Sequence, residues 1–347
     1  MSTPLASLGS LVHPHQMEVQ EFDFYALVID ARSAMAYQED HLPGAVNIPV
    51  QSDQQGDGRR VGAAPGRAGS ASEVASAMPD ALASQVMQLS AGDAVLIYCD
   101  CGGLDSMVWA TPLKAAGFRV DVLGGGWVNY RRWVTAGLEV LPRALTFRPL
   151  LAPPVGGLCC VLDRLIQLGE QVIDLAALAG QKTVPGLTLS GDVTPSQSAF
   201  ETALIEFLRS CDPQRPVWVG YRLTGLAALD LPPSLVDALR RSTAVLLEVP
   251  VDVRAQAWCD RLRAVSADLP GLLLEISTSA KTACALDKGR LQALVSSGLA
   301  VAAMADVIKH AIEQSSQVDR WAGKLEVAKS PSLQADGIAE LVGELMG

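Results

Sequence analysis

The sequence predicts an α/β protein built on parallel sheets and divided into two domains. Three observations carry that prediction. At 347 residues the chain is long for a single hydrophobic core. Short apolar runs, Ala26–Asp30 and Val95–Tyr98, lead into polar or glycine-rich turns and then into helical spacing, the rhythm of strands buried on both faces. Hydrophobic residues make up 49% of the chain and charged residues 18%, which describes a well-buried globular protein and not a disordered one. The domains are placed at 1–140 and 141–347, the second ending in a helical part.

Composition also narrows the function classes. No run of about 18 apolar residues occurs, so no membrane-spanning helix is expected. The N-terminus lacks a basic region followed by an apolar core, and seven cysteines show no disulfide-scaffold spacing. A reducing, cytoplasmic location is the expectation. A formal net charge of −10 opposes non-specific nucleic-acid binding while leaving room for a local basic patch on a specific RNA.

In the first domain, Ala26–Asp30 reads as a short buried strand ending in an acid, with Arg32 placed to pair with Asp30. Pro43-Gly44 signals a turn and Ala45–Ile48 a second short strand. Gln51–Ser72, rich in Gly, Ser and Ala and carrying Arg59, Arg60 and Arg67, reads as a loop, and Glu73–Leu89 has helical spacing broken at Pro79. Val95–Tyr98 then runs into Cys99 and a Gly-Gly turn, with Ser106 opening a helix. A cysteine at that junction meets backbone N–H groups and a helix dipole that favour a thiolate; the alternative is a buried, inert thiol. Thr111 and Pro112 fit the N-cap and first position of a helix that starts late.

The segment IDARSAMAYQEDHLPGAVNIP, followed later by GFRVDVLGGGW and a helix over Val128–Val134, resembles a rhodanese domain. The loop after the strand sharpens the resemblance to the tRNA 2-selenouridine synthase family, whose rhodanese domain carries Cys-x-Arg-Gly-Gly-x-Arg-Ser. Here the loop is Cys99, Asp100, Cys101, Gly102, Gly103, Leu104, Asp105 and Ser106. The cysteine, both glycines and the serine are kept; the two arginines are replaced by Cys101 and Asp105. Two cations that would favour a thiolate have become a thiol and a carboxylate. Cys99-x-Cys101 is also a candidate redox pair, while no partner pair with zinc spacing stands nearby, so no metal is expected.

The second domain opens with Leu141–Leu151 as a crossing into a strand, followed by APPVGGLCCVL. The family carries a phosphate-binding P-loop here, Gly-x-Thr-Gly-x-Gly-Lys-Thr. Gly156 and Gly157 remain, Leu158 stands at the lysine position and Cys159 at the hydroxyl position, so the domain is expected to be P-loop-type with a degenerate phosphate loop. Pro153 and Pro154 remove two N–H donors from it. VIDLAALAGQKTVPG, PSQSAFE with Ser196 as a natural N-cap, LPPSL and the strand Ala244–Pro250 also resemble the family. Lys182, Arg222, Arg240, Arg241 and Arg254 are the cations available to phosphate or RNA, each of them expected to be solvated. From Asp260 onward amphipathic helices are expected, notably over Gly289–Ile312 and Ser332–Met346, and Ser277–Thr282 as a helix connection. Cys159, Cys160, Cys211, Cys259 and Cys284 are expected in the core.

The family resemblance implies a transferase that exchanges the sulfur of 2-thiouridine at the tRNA wobble position for selenium, through a geranylated intermediate. Cys99 would be its catalytic chalcogen carrier, selenophosphate and geranyl diphosphate its co-substrates, and no resident cofactor is implied. Its partners would be tRNA and a full-length selenouridine synthase or a chalcogen donor protein. Two other readings stay open: a non-catalytic subunit that partners a complete synthase or binds its tRNA, and a Cys-x-Cys thiol redox protein.

Overall fold

The computed structural model describes residues 11–12, 22, 24–50, 80–90, 92–153, 156–180, 194–222, 229–265, 268–278, 287–312 and 324–347. The chain divides into two compact units, Met1–Gly137 and Leu138–Gly347. The loop over Gln51–Ser72 with its arginines, the break at Pro79, Lys182 and Cys284 lie outside the described residues.

The first unit holds a five-stranded sheet in the order β1-β5-β4-β2-β3, in which every pair is parallel. Its strands are β1 (Leu11–Val12), β2 (Leu27–Asp30), β3 (Val46–Asn47), β4 (Ala94–Tyr98) and β5 (Arg119–Leu123). All five residues of β4 are buried, as a central strand covered on both faces requires. The connecting helices are α1 (Ala34–Glu39), α2 (Asp80–Val86), α3 (Leu104–Ala115) and α4 (Gly126–Ala144). Ser33 caps α1 through the Ala36 N–H. One core joins alternate strand residues, Leu27, Ile29, Val95, Ile97, Val120 and Val122, to Trp109 and Leu113 of α3.

Two expectations are corrected here. The helix after the loop does not start at Pro112: α3 begins at Leu104, N-capped by Gly103, and carries Pro112 as its ninth residue. Trp109, Ala110 and Leu113 are buried against the sheet, and their packing outweighs the one helical hydrogen bond that proline cannot donate. Likewise α4 runs well beyond Val134 to Ala144, so part of the expected crossing at Leu141–Leu151 is helix, with Pro142 inside its last turn.

The second unit repeats the principle with order β10-β9-β6-β8-β7, again with every pair parallel. Its strands are β6 (Phe147–Ala152), β7 (Gln171–Asp174), β8 (Val217–Arg222), β9 (Ala244–Glu248) and β10 (Leu325–Lys329). The helices are α5 (Leu158–Gln167), α6 (Leu175–Leu178), α7 (Gln197–Ser210), α8 (Pro233–Arg241), α9 (Val251–Val265), α10 (Leu269–Thr278), α11 (Lys288–Ser296), α12 (Ala300–Val307) and α13 (Ala335–Met346). Asp174 and Ser196 cap α6 and α7 with their side-chain oxygens. Leu150, Trp218 and Leu247 of the sheet pack with α5 and α13, while α9 to α12 make a second, all-helical core around Cys259, Leu262, Leu273 and Met304.

The C-terminal region departs from expectation in two places. The helix anticipated over Gly289–Ile312 breaks at Gly298, whose φ of +73° ends α11 and lets the chain turn back into α12. A strand, β10, stands where only helices were expected; its residues are mostly exposed, so no apolar alternation marked it. Cysteine burial is also corrected. Cys259 is fully buried, but Cys160 is exposed and Cys159 and Cys211 are half-buried, because they lie on the outer flanks of α5 and at the end of α7.

Candidate functional site: the Cys99 loop

β4 is the middle strand of its sheet, and Cys99 follows its last residue, Tyr98. Open parallel sheets place ligands at this C-terminal edge, beside the N-termini of the helices that follow. Cys99 is 4% exposed, and its Sγ accepts a hydrogen bond of 3.2 Å from the Gly103 N–H, the N-cap of α3. The thiol sulfur therefore lies where backbone N–H and helix dipole act on it together. Around it Asp100, Cys101, Gly103, Leu104 and Asp105 are exposed, and Gly102 is half-buried. Ser106, expected to open the helix, is its third residue, fully buried, and its hydroxyl has no hydrogen-bond partner among the described residues.

A second helix end clamps the loop. The Trp127 N–H donates to the Cys99 carbonyl at 2.8 Å and the Val128 N–H to the Asp100 carbonyl at 3.0 Å, which uses two of the orphan donors of α4's first turn. So close an approach explains the glycines. Gly102 has φ +67° and Gly126 φ +56°; a Cβ on Gly102 would strike the Leu123 carbonyl, and one on Gly126 the Cys99 carbonyl.

A buried ionic network lies at the neighbouring strand end. Asp30, in register with Tyr98, accepts two bonds from Arg32 Nε and one of 2.7 Å from Arg32 Nη2. Tyr98 Oη donates to Asp30 at 2.6 Å and accepts from the Leu42 N–H. Burial and the Asp30 carboxylate both push the Tyr98 phenol up, so it stays a donor. Arg32 also donates to the Asp40 carbonyl and lies 3.9 Å from the centroid of the Trp127 ring. The expected Asp30–Arg32 pairing is present, and sequence reading missed that Tyr98 and Trp127 complete it. The strand-end acid thus anchors the backbone on which the loop rests.

In the second unit, Gly156 and Gly157 lead from β6 into α5, and Leu158 and Cys159 are the first two residues of that helix. Gly157 is the N-cap, with φ +75°. Leu158, at the lysine position, is 7% exposed and belongs to the α5–α13 core. Arg222 closes β8 beside Ala152; its side chain lies outside the described residues. Arg240 and Arg241 are exposed on α8 as expected. Arg254 is not solvated: it is 3% exposed, its Nε donates to the Val249 carbonyl, and it lines a cavity of about 550 Å³ with Pro153, Glu248, Lys329 and Ser330. Among the described residues no cluster of three or more His, Cys, Asp or Glu could hold a metal ion, and no helix is long and apolar enough to cross a membrane.

Comparison with known proteins agrees with this geometry. The family model for the rhodanese-like domain matches residues 16–132. A tRNA 2-selenouridine synthase from Chromohalobacter salexigens is 32% identical over 241 residues, 66% of this chain and 63% of that protein. Proteins of the same name from Psychromonas ingrahamii and Shewanella oneidensis are 23% and 27% identical, over 70% and 67% of this chain and 69% and 63% of their own. The chain thus spans a little under two thirds of the first of these relatives. Residues 16–132 therefore form a rhodanese-like domain, in a chain related over much of its length to the tRNA 2-selenouridine synthases.

Proposed function

We propose that this protein carries sulfur or selenium on Cys99 for the modification of a tRNA wobble uridine. The observation that supports it most directly is the Cys99 Sγ at the end of the central strand, receiving the Gly103 N–H inside a loop clamped between two helix N-termini. In the transfer step the Cys99 thiolate attacks the terminal sulfur of a persulfide donor. A Cys99 Sγ–S bond forms, the donor's S–S bond breaks, and the donor leaves as a thiolate with the electron pair. The Gly103 N–H that meets the Cys99 Sγ also suits the terminal anion of a loaded persulfide. The tRNA acceptor is taken from the name of the relatives.

The loop's missing arginines leave that backbone donor as the positive end of the site. The second unit supports a narrower role for itself. Its Leu158 fills core space where the family's P-loop has a lysine, so this loop is proposed not to hold a nucleoside triphosphate or a geranyl diphosphate. That same observation favours the second reading, a binding subunit that works beside a complete synthase.

The test is the mass of the Cys99-containing peptide after the full chain meets a persulfide (R–S–SH) or selenopersulfide (R–S–SeH) donor, in wild type, Cys99→Ser and Cys101→Ser. One added chalcogen atom, lost in Cys99→Ser and kept in Cys101→Ser, is the expected result. An internal Cys99–Cys101 disulfide, lost in either variant, would make the loop a redox pair. A wild-type peptide that gains nothing would leave only the binding subunit.

A further inference from the structure

Outside the Cys99 loop the described residues contain one other place where a thiol meets groups that stabilise its anion. Cys159 and Cys160 are the second and third residues of α5, and their Sγ atoms lie 4.0 Å apart. Arg261 of α9, 102 residues away in sequence, brings Nη1 to 3.2 Å from the Cys159 Sγ. Cys159 is half-buried and Cys160 exposed, so the pair is reachable from solvent. We propose that Cys159 is a second nucleophilic thiol of this protein, a site that accepts sulfane sulfur from persulfides, with Cys160 and Arg261 as its positioning residues. The sulfane-sulfur part of this assignment rests on the chalcogen-transfer reading above; the thiolate itself does not.

The geometry separates this role from a redox pair. Neighbouring Cα atoms across a trans peptide are about 3.8 Å apart, below the roughly 4.4–6.8 Å that disulfides span. Closing a ring between adjacent cysteines would also break the first turn of α5. The two sulfurs are therefore hydrogen-bond partners, either of them able to donate, and not disulfide partners. The hydrogen bond with Cys160 does most to lower Cys159, to about 6; burial opposes it, and the Arg261 guanidinium adds to it. Asp163 on the same helix is the charge that works against the thiolate. Cys160 is pushed up in consequence, which keeps its proton in place for donation.

The chemistry balances without an added oxidant. The Cys159 thiolate attacks the terminal sulfur of a persulfide, a Cys159 Sγ–S bond replaces the donor's S–S bond, and the donor departs as a thiolate carrying the electron pair. A thiol held below the ordinary cysteine range carries more thiolate at neutral pH than an unperturbed one.

The experiment uses the full chain in a Cys99→Ser background, so that it does not depend on the first loop. Iodoacetamide labelling of the Cys159 peptide, followed from about pH 5 to about pH 9, should reach half its maximal rate near pH 6. That midpoint should rise toward the ordinary thiol value of about 8.5 in Cys160→Ala, and by a smaller step in Arg261→Gln. With a persulfide donor, the same peptide should gain one sulfur atom, lose it in Cys159→Ser and keep it in Cys160→Ala. A midpoint at the ordinary value in the unsubstituted pair, preferential labelling of Cys160, or a peptide that forms a Cys159–Cys160 disulfide or gains no sulfur would each overturn the proposal. Loading of Cys99 in wild type with none on Cys159 would sink this site alone; loading of Cys159 with none on Cys99 would sink the first reading alone.

Discussion

A carboxylate as fully buried as Asp30 persists because each of its oxygens is met by a donor. Arg32 supplies charge and a forked hydrogen-bond geometry, and Tyr98 supplies a phenol that cannot ionise in competition. Removing one member leaves the others buried and unpaired, which costs far more than the pair itself is worth. Asp30→Ala should therefore lower unfolding stability by about 3–5 kcal/mol, read from urea melts, because Arg32 is left without its counter-charge. Asp30→Asn keeps the shape and part of the hydrogen bonding, and the expected loss is smaller. A loss below about 1 kcal/mol in Asp30→Ala would mean that water reaches the guanidinium and that the network does not anchor the loop. The Asp-x-Arg pairing was legible in the sequence because the two residues stand at a strand end two positions apart. Tyr98 as third member was not, since a tyrosine in an apolar strand reads as core until a partner from another strand is placed beside it.

At the scale of elements, helix starts decided most of what the sequence left open. Pro112 and Thr111 looked like a beginning because proline is favoured at a helix's first position. The true start lies earlier, at Gly103, because Trp109, Ala110 and Leu113 together bury more than one backbone hydrogen bond is worth. That shift aims the N-terminus of α3 at Cys99. In α5 the same logic acts on Leu158. It occupies the helix's first position with its side chain in the core, so a lysine there would not make a P-loop. Leu158→Lys is expected to cost about 2 kcal/mol through lost apolar burial and a strained charge. Addition of a nucleoside triphosphate with magnesium should not raise the variant's melting temperature. A rise of several degrees on addition would show a phosphate site that the packing of Leu158 argues against.

For the molecule as a whole, two parallel sheets set cysteines at two strand–helix junctions, one in each compact unit. The whole chain carries 27 basic against 37 acidic residues, a formal net charge of −10. Long-range electrostatics therefore repel a polyanion, and any tRNA contact has to come from local cations. Binding to a homopolymeric RNA should be no tighter than about 10⁻⁴ M at physiological salt, the weak end of non-specific binding. It should also weaken further as salt is added. Fluorescence anisotropy over a salt series measures both; submicromolar homopolymer binding would contradict the charge argument.

The sequence by itself determined the class of fold, the strand that carries Cys99, the Asp30–Arg32 pair and a leucine, Leu158, where the resembling family's phosphate loop has a lysine. These are local facts, written in apolar runs, glycine turns and residues a few positions apart, and so they survive without knowledge of the tertiary arrangement. The structure decided what depends on distant partners. Arg254 reads as one more surface cation until β9 and α9 fold it inward to 3% exposure. Cys159 and Cys160 read as core until α5 turns them outward and α9 delivers Arg261 to them. The strand β10 is invisible in a mostly exposed segment, because what makes it a strand is the in-register row of β9 beside it. Burial and pairing across a hundred residues are set by packing, and no local pattern encodes them.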